Sequence, residues 1–228
     1  MRDDICTIPV SEVFEVNDGC PICRMRKTVG DHIVDYIMGA AMMEPDVRIE
    51  TNKIGFCPDH YDRMLNHRGR LALALMLESH LDSVKKDVFG GLFATPNKKA
   101  SKAKTLTESC FICDKINWGM ERMIETLYRC YENERDFRDL FNNQQKFCMP
   151  HFEMLLSGCN KKQMKRYSDE FQKNLVRIVE DNITSLRTDI GNYCKMYNYQ
   201  NNADNCDWQN SKDSVERTIN FLSGKSDN

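Results

Sequence analysis

Two Cys-x-x-Cys pairs, each followed by a Cys-x-x-His pair, constrain this chain more than any other feature. The first set is Cys20, Cys23, Cys57 and His60; the second is Cys110, Cys113, Cys148 and His151. The intervening segments, residues 24–56 and 114–147, differ in length by one residue. Three thiolates and one imidazole complete a tetrahedral shell of the kind structural zinc takes. A Phe stands directly before the third Cys of each set (Phe56, Phe147). The duplication predicts two metal sites and an internal repeat. Neither shell leaves a position open for water, which argues against a catalytic metal.

With 228 residues and 41% hydrophobic content, the chain can bury a core as one domain or as two small halves. A formal charge of −2 argues against a dedicated nucleic-acid binder, which carries a basic excess. Residues 1–6 lack the apolar run of a signal peptide, and no stretch approaches the roughly 18 apolar residues of a membrane span. Eleven Cys, an odd number, cannot all pair within the chain. Eight ligand candidates at metal spacing and no export signal fit a reducing cytoplasm better than a disulfide framework.

Periodicity predicts helices and almost no strand. From Met25 the apolar residues Val29, Ile33, Tyr36, Ile37 and Ala40 recur at steps of three and four, and Pro21 suits the first turn of that helix. Glu44-Pro45 ends that run, and 47–55 reads as an extended return. Pro58 opens a second helix, broken at residues 66–69. A third carries Leu71, Leu75, Leu77, Leu81, Val84 and Val88 on its expected core face. In the second half, one helix carries Ile116 to Tyr131, a short one lies near 136–141, and another follows Cys148. A long helix is expected from about 162 to 196, roughly 50 Å, as a spine for both repeats. A short amphipathic helix with Val215, Ile219 and Leu222 ends before Gly224.

The predicted architecture is therefore an all-α helical bundle built from two pseudo-repeats, each with a Cys3His site, plus one long helix. Its parts are 1–93 (first repeat, after a polar lead-in over 1–18), a polar linker at 94–108, and 109–228 (second repeat with the long and terminal helices). Chain reach favours each site closing within its own repeat. An outbound helix over about 22–43 covers roughly 32 Å, and residues 44–56, if extended, span up to about 43 Å. In the second repeat a partly helical return covers roughly 30 Å, which only just suffices. The exchanged pairing, Cys20 and Cys23 with Cys148 and His151, stays open.

Zinc fits the ligand set best, two ions per chain; iron or an iron–sulfur cluster is the rival, since a His can replace a Cys there. A thioredoxin-like redox role needs a βαβ setting that the sequence lacks. Covalent haem needs a His after Cys-x-x-Cys, where Arg24 and Asp114 stand. His32, His67 and His80 read as surface or capping residues, Cys130 and Cys194 as small buried residues, and Trp118 and Trp208 as packing anchors. Cys6, Cys159 and Cys206 show no ligand spacing. No phosphate-binding glycine loop, zinc-protease motif or nucleophile elbow occurs.

The pattern Cys-Pro-Ile-Cys, Gly-Phe-Cys-Pro-x-His, Cys-x-Ile-Cys, Phe-Cys-x-x-His-Phe resembles a bacterial domain family of unknown function about as long as this chain. The ending, from Trp208 through Ser211-Lys-Asp-Ser and Arg217 to Phe221-Leu-Ser-Gly, is similar too. The resemblance implies a bacterial, intracellular helical protein and supplies no catalytic residues. Together these readings predict a non-enzymatic, metal-stabilised helical scaffold or regulator that binds an unidentified protein partner. Two alternatives remain. One is an iron–sulfur redox or sensor protein; the other is a nucleic-acid-binding regulator using Lys98, Lys99, Lys102 and Lys104.

Overall fold

Five of the six prolines stand at the first or second position of a helix, where the missing N–H costs no hydrogen bond. They punctuate the chain into short helices. A computed structural model describes residues 7–90, 95–159, 164–196, 208 and 210–224. In order these form α1 (Thr7–Glu15), α2 (Pro21–Met38), a 3-10 turn (Ala40–Met43), α3 (Pro45–Ile54), α4 (Pro58–Asn66) and α5 (Arg70–Val84). A π-turn (Lys85–Phe89) extends α5, and α6 (Pro96–Glu108), α7 (Phe111–Asn133), α8 (Arg135–Asn142), α9 (Met149–Gly158), α10 (Ser168–Met196) and α11 (Ser214–Ser223) follow. No strand occurs among the described residues, so the fold is all-α as expected.

The chain divides into two compact units. The first comprises Met1–Lys27 and Glu121–Asn228; the second comprises Thr28–Met120. Helix α2 starts in the first and continues into the second, and α7 does the reverse.

The first unit packs α1 on α8, and α10 on α8, α9 and α11. Its core is aromatic: Phe14, Tyr131, Phe137, Phe141, Phe147 and Phe171 are all buried. Ring centroids of Phe141 lie 4.7 Å from Phe171, 5.2 Å from Phe147 and 5.2 Å from Tyr131. Tyr131 donates to Asn142 Oδ1 (3.0 Å), which meets its polar tip. The second unit packs α3 and α4 on α5, around Ile37, Met38, Met64, Leu73 and Met76.

Several expectations need correction. The 1–18 lead-in contains α1, which buries Val10, Val13 and Phe14 at helical spacing. The 47–55 segment is helix α3 rather than an extended return; Pro45 at its start and Asp46 in its first turn suit a helix N-terminus. Helix α5 buries Ala72, Leu73, Met76 and His80, leaving Leu71 and Leu81 exposed. His80 Nδ1 donates to Asn52 O (2.9 Å), so this face needs a polar contact that hydrophobic periodicity does not report. The 94–108 stretch contains α6, capped by the Thr95 side chain and burying no residue. The long helix begins at Ser168, about 43 Å rather than 50 Å. Cys130 is buried as expected, but Cys194 is exposed, as is Trp118. Cys6, Cys206 and most of the Asn/Asp-rich segment lie outside the described residues.

Candidate metal centres

All eight candidate ligands come together, in two groups, and the grouping crosses the repeats. Cys20 and Cys23 meet Cys148 and His151; Cys57 and His60 meet Cys110 and Cys113. Closure within each repeat is therefore overturned, and helix lengths explain why. Residues 44–56, once α3 is helical, span about 25 Å, less than the roughly 27 Å that α2 alone carries the chain. In the second repeat α7 runs about 35 Å, while α8 and its flanks return about 32 Å. Neither Cys-x-x-His pair gets back to its own Cys-x-x-Cys pair. Each meets the other repeat's pair instead, and each group lies within one compact unit.

Every half-site is built the same way. Cys57 and Cys148 are extended N-cap residues (φ −76°, ψ 163° and φ −75°, ψ 159°), with prolines in the first two helical positions. Their carbonyls accept from Tyr61 N (2.9 Å) and Phe152 N (2.8 Å), which starts the helix and sets His60 and His151 one turn on. Cys20 and Cys110 accept likewise from Arg24 N (3.2 Å) and Asp114 N (3.1 Å), placing Cys23 and Cys113 in first turns. Each centre thus faces two helix N-termini toward one point: α2 with α9, and α7 with α4. Two positive helix ends repel unless negative charge lies between them, and thiolates supply it.

The distances suit one shared ion. In the first centre His151 Nδ1 lies 3.5, 3.3 and 3.1 Å from the sulfurs of Cys20, Cys23 and Cys148. In the second, His60 Nδ1 lies 3.1, 3.3 and 3.4 Å from those of Cys57, Cys110 and Cys113. Sulfur pairs lie 3.6 Å apart (Cys23–Cys148) and 3.9 Å apart (Cys57–Cys113), far too long for disulfides. A tetrahedron with zinc-type bonds has S–S edges of about 3.8 Å and S–N edges of about 3.5 Å. Each group can hold a metal ion with little movement.

Without an ion, three neighbouring sulfurs cannot all stay ionised. Hydrogen bonds from Cys148 and Cys23 hold the Cys20 thiol far below its ordinary range. The same contacts, with Cys148 first, push Cys23 far up, and Cys148 rises to about 12, mainly through Cys20. In the second centre burial opposes ionisation of Cys110, but contacts from His60 and the backbone of Cys113 and Cys57 prevail and bring it to about 6. Burial, then the neighbouring Cys110, lifts Cys113 to about 12. A divalent cation removes this frustration, because it stabilises all three thiolates at once.

Neighbouring groups fix the ligands. Ser109 Oγ donates to Ile54 O (2.7 Å) and Phe111 N to Gly55 O (2.9 Å), tying the approach to Cys57 onto the start of α7. Gly55 has φ 72°, and a Cβ there would lie 3.0 Å from His80 Nε2. In the first centre Gly224 (φ 71°) ends α11 directly against the ligands. Its carbonyl is 3.4 Å from Cys23 Sγ, and a Cβ would lie 3.4 Å from Cys148 Sγ. Phe147 is fully buried among Phe14 and Phe141, and Phe56 meets Tyr61 edge-on at 5.5 Å. The Phe before each third Cys is thus an anchor for the N-cap that follows. His32, His67 and His80 stand outside both groups; His67 faces Asp35 (3.1 Å). On α6, Lys102 donates to Asp87 O (2.5 Å) and Lys104 pairs with Glu108 (3.7 Å).

The fold and sites define an all-α protein with two Cys3His groups assembled from exchanged halves of a repeat. Residues 1–228 match a family of unknown function (DUF6062), and the chain belongs to it. No curated protein and no solved structure matches the chain. No described helix is long and apolar enough to cross a membrane.

Proposed function

We propose that each group holds one zinc ion with a structural role, and that the protein is a non-enzymatic scaffold or regulator that binds another protein in the bacterial cytoplasm. The carrying observation is that each centre consists of four protein donors at tetrahedral spacing, on two helix N-termini. A four-ligand shell with no open position suits a structural ion, and the ion would then contribute folding free energy directly. A single ion also suits this spacing better than an iron–sulfur cluster, which places inorganic sulfide and further iron between its thiolates. Support for a protein partner comes from the second unit, where Leu71 (73% exposed) and Leu75 share one face of α5, and α3, which packs on α5, exposes Ile49 (66%).

Elemental analysis of untagged protein tests the metal reading: two zinc ions per chain are expected, and iron with a visible thiolate absorption rejects zinc. Hydrolase or transferase activity that disappears with the eight ligands rejects the non-enzymatic role. For the partner, Leu71→Arg should abolish a specific in-cell crosslink while leaving metal content unchanged.

A further inference from the structure

The first centre forms the floor of a cavity of about 350 Å³, lined by its sulfur ligands Cys20, Cys23 and Cys148. Small-molecule sites run from about 300 to 1,000 Å³ and pair apolar walls with a few convergent polar groups. This cavity has both. Leu186 and Phe221 form apolar wall, and four cations (Arg24, Lys27, Lys146 and Arg217) line it against a single carboxylate, Asp18.

The two kinds of cation differ in how they are held. Arg24 donates to Val13 O (2.6 Å) and Val16 O (3.0 Å) and pairs with Asp18. Arg217 pairs with Asp189 and Asp213, each at 3.0 Å. These guanidinium groups are fixed by their own partners and shape the wall. Lys27 and Lys146 make no ion pair among the described residues, so no carboxylate there occupies their ammonium groups. A filled Cys3His centre carries about one net negative charge, two positive from the ion against three thiolates. An incoming anion is therefore directed to the lysines rather than onto the sulfurs.

From this arrangement we propose that the cavity binds a small organic anion, with a phosphate or carboxylate head between Lys27 and Lys146 and an apolar body against Leu186 and Phe221. The centre's part is to fix the floor through Cys20, Cys23 and Cys148. The inference stands apart from the protein-partner reading, and metal content is read separately from ligand binding.

Calorimetric titration of the metal-loaded full chain with phenyl phosphate, benzoate and neutral benzamide tests it. Phenyl phosphate should bind, benzoate should bind more weakly, and benzamide should not bind. The order of the two anions separates a phosphate site from a carboxylate site. Reversing both charges, Lys27→Glu with Lys146→Glu, should weaken phenyl phosphate by at least about tenfold at unchanged metal content. Lys173→Glu, at an exposed position of α10 outside the cavity lining, should leave binding intact. If the double reversal loses its helical circular dichroism, Lys27→Gln and Lys146→Gln carry the test singly, each expected to weaken binding several-fold. Absence of phenyl phosphate binding, equal binding of benzamide, or unchanged affinity in the folded lysine variants overturns the proposal.

Discussion

The two centres repeat one half-site design, but the cores behind them differ. Behind the first, Phe147 leads into a continuous aromatic cluster of Phe14, Phe141, Tyr131 and Phe171. Behind the second, Phe56 meets only Tyr61 among the described ring pairs, and the core beyond is mainly aliphatic residues and Met, with Phe111 as a further buried ring. Large aromatic side chains bury more area each and pack with defined geometry. The second unit also leaves many large apolar side chains in solvent, including Met43, Ile49, Leu71, Leu81, Phe89 and Trp118. The first unit thus has more to hold it together without an ion. In the second, a bound ion would have to supply a larger share.

Metal removal should expose that difference most strongly. Structural zinc sites in small domains contribute about 10–16 kcal/mol at neutral pH. Under a chelator, amide exchange should accelerate across residues 28–120 first, while 121–158 and 168–196 stay protected longer. Simultaneous loss in both units would erase the proposed asymmetry.

Phe141→Ala attacks the aromatic core directly. Its truncation should cost about 3–5 kcal/mol, measured by denaturant unfolding. Metal content of the second centre should remain, because Phe141 belongs to the first unit's cluster.

Acid should strip metal with a slope set by the protons the ion displaces. Near neutral pH the metal-free second centre carries a thiolate at Cys110, held at about 6, and a thiol at Cys113, lifted to about 12. Binding must expel at least the Cys113 proton, so affinity should fall at least about tenfold for each pH unit lost. Below about pH 6 Cys110 also holds a proton, and the slope should steepen. A competitive zinc-chelator titration across pH reads both regimes.

Gly224→Ala and Gly55→Ala form a smaller, matched pair. Each glycine has positive φ, and an added Cβ presses on Pro150 (3.2 Å) or on His80 Nε2 (3.0 Å). A cost of about 1–2 kcal/mol is expected at each. The first should weaken metal retention only at Cys148 and its partners, the second only at Cys57 and its partners.

Much of this was legible in the residues, for identifiable reasons. The eight ligands stood out because metal spacing and helix punctuation coincide at Pro21, Pro58 and Pro150. Helices α2, α7 and α10 carry long apolar periodicities, so their existence was plain. The ligand pairing was not, because it depended on whether 44–56 is extended or helical. Pro45 and Asp46 in a first turn were the available signal for α3. Helix α1 was hidden by its polar flanks although Val10, Val13 and Phe14 keep helical steps. The buried face of α5 was misread because five leucines spread around the helix, and the deciding residue, His80, is polar.

The exchange of half-sites between repeats is the claim on which the rest depends, and cysteine footprinting of Cys57→Ser tests it most directly. Iodoacetamide labelling followed by mass spectrometry should show Cys110 and Cys113 becoming reactive, while Cys20, Cys23 and Cys148 stay protected. Reactive Cys20 and Cys23 alongside protected Cys110 and Cys113 would contradict the exchanged pairing.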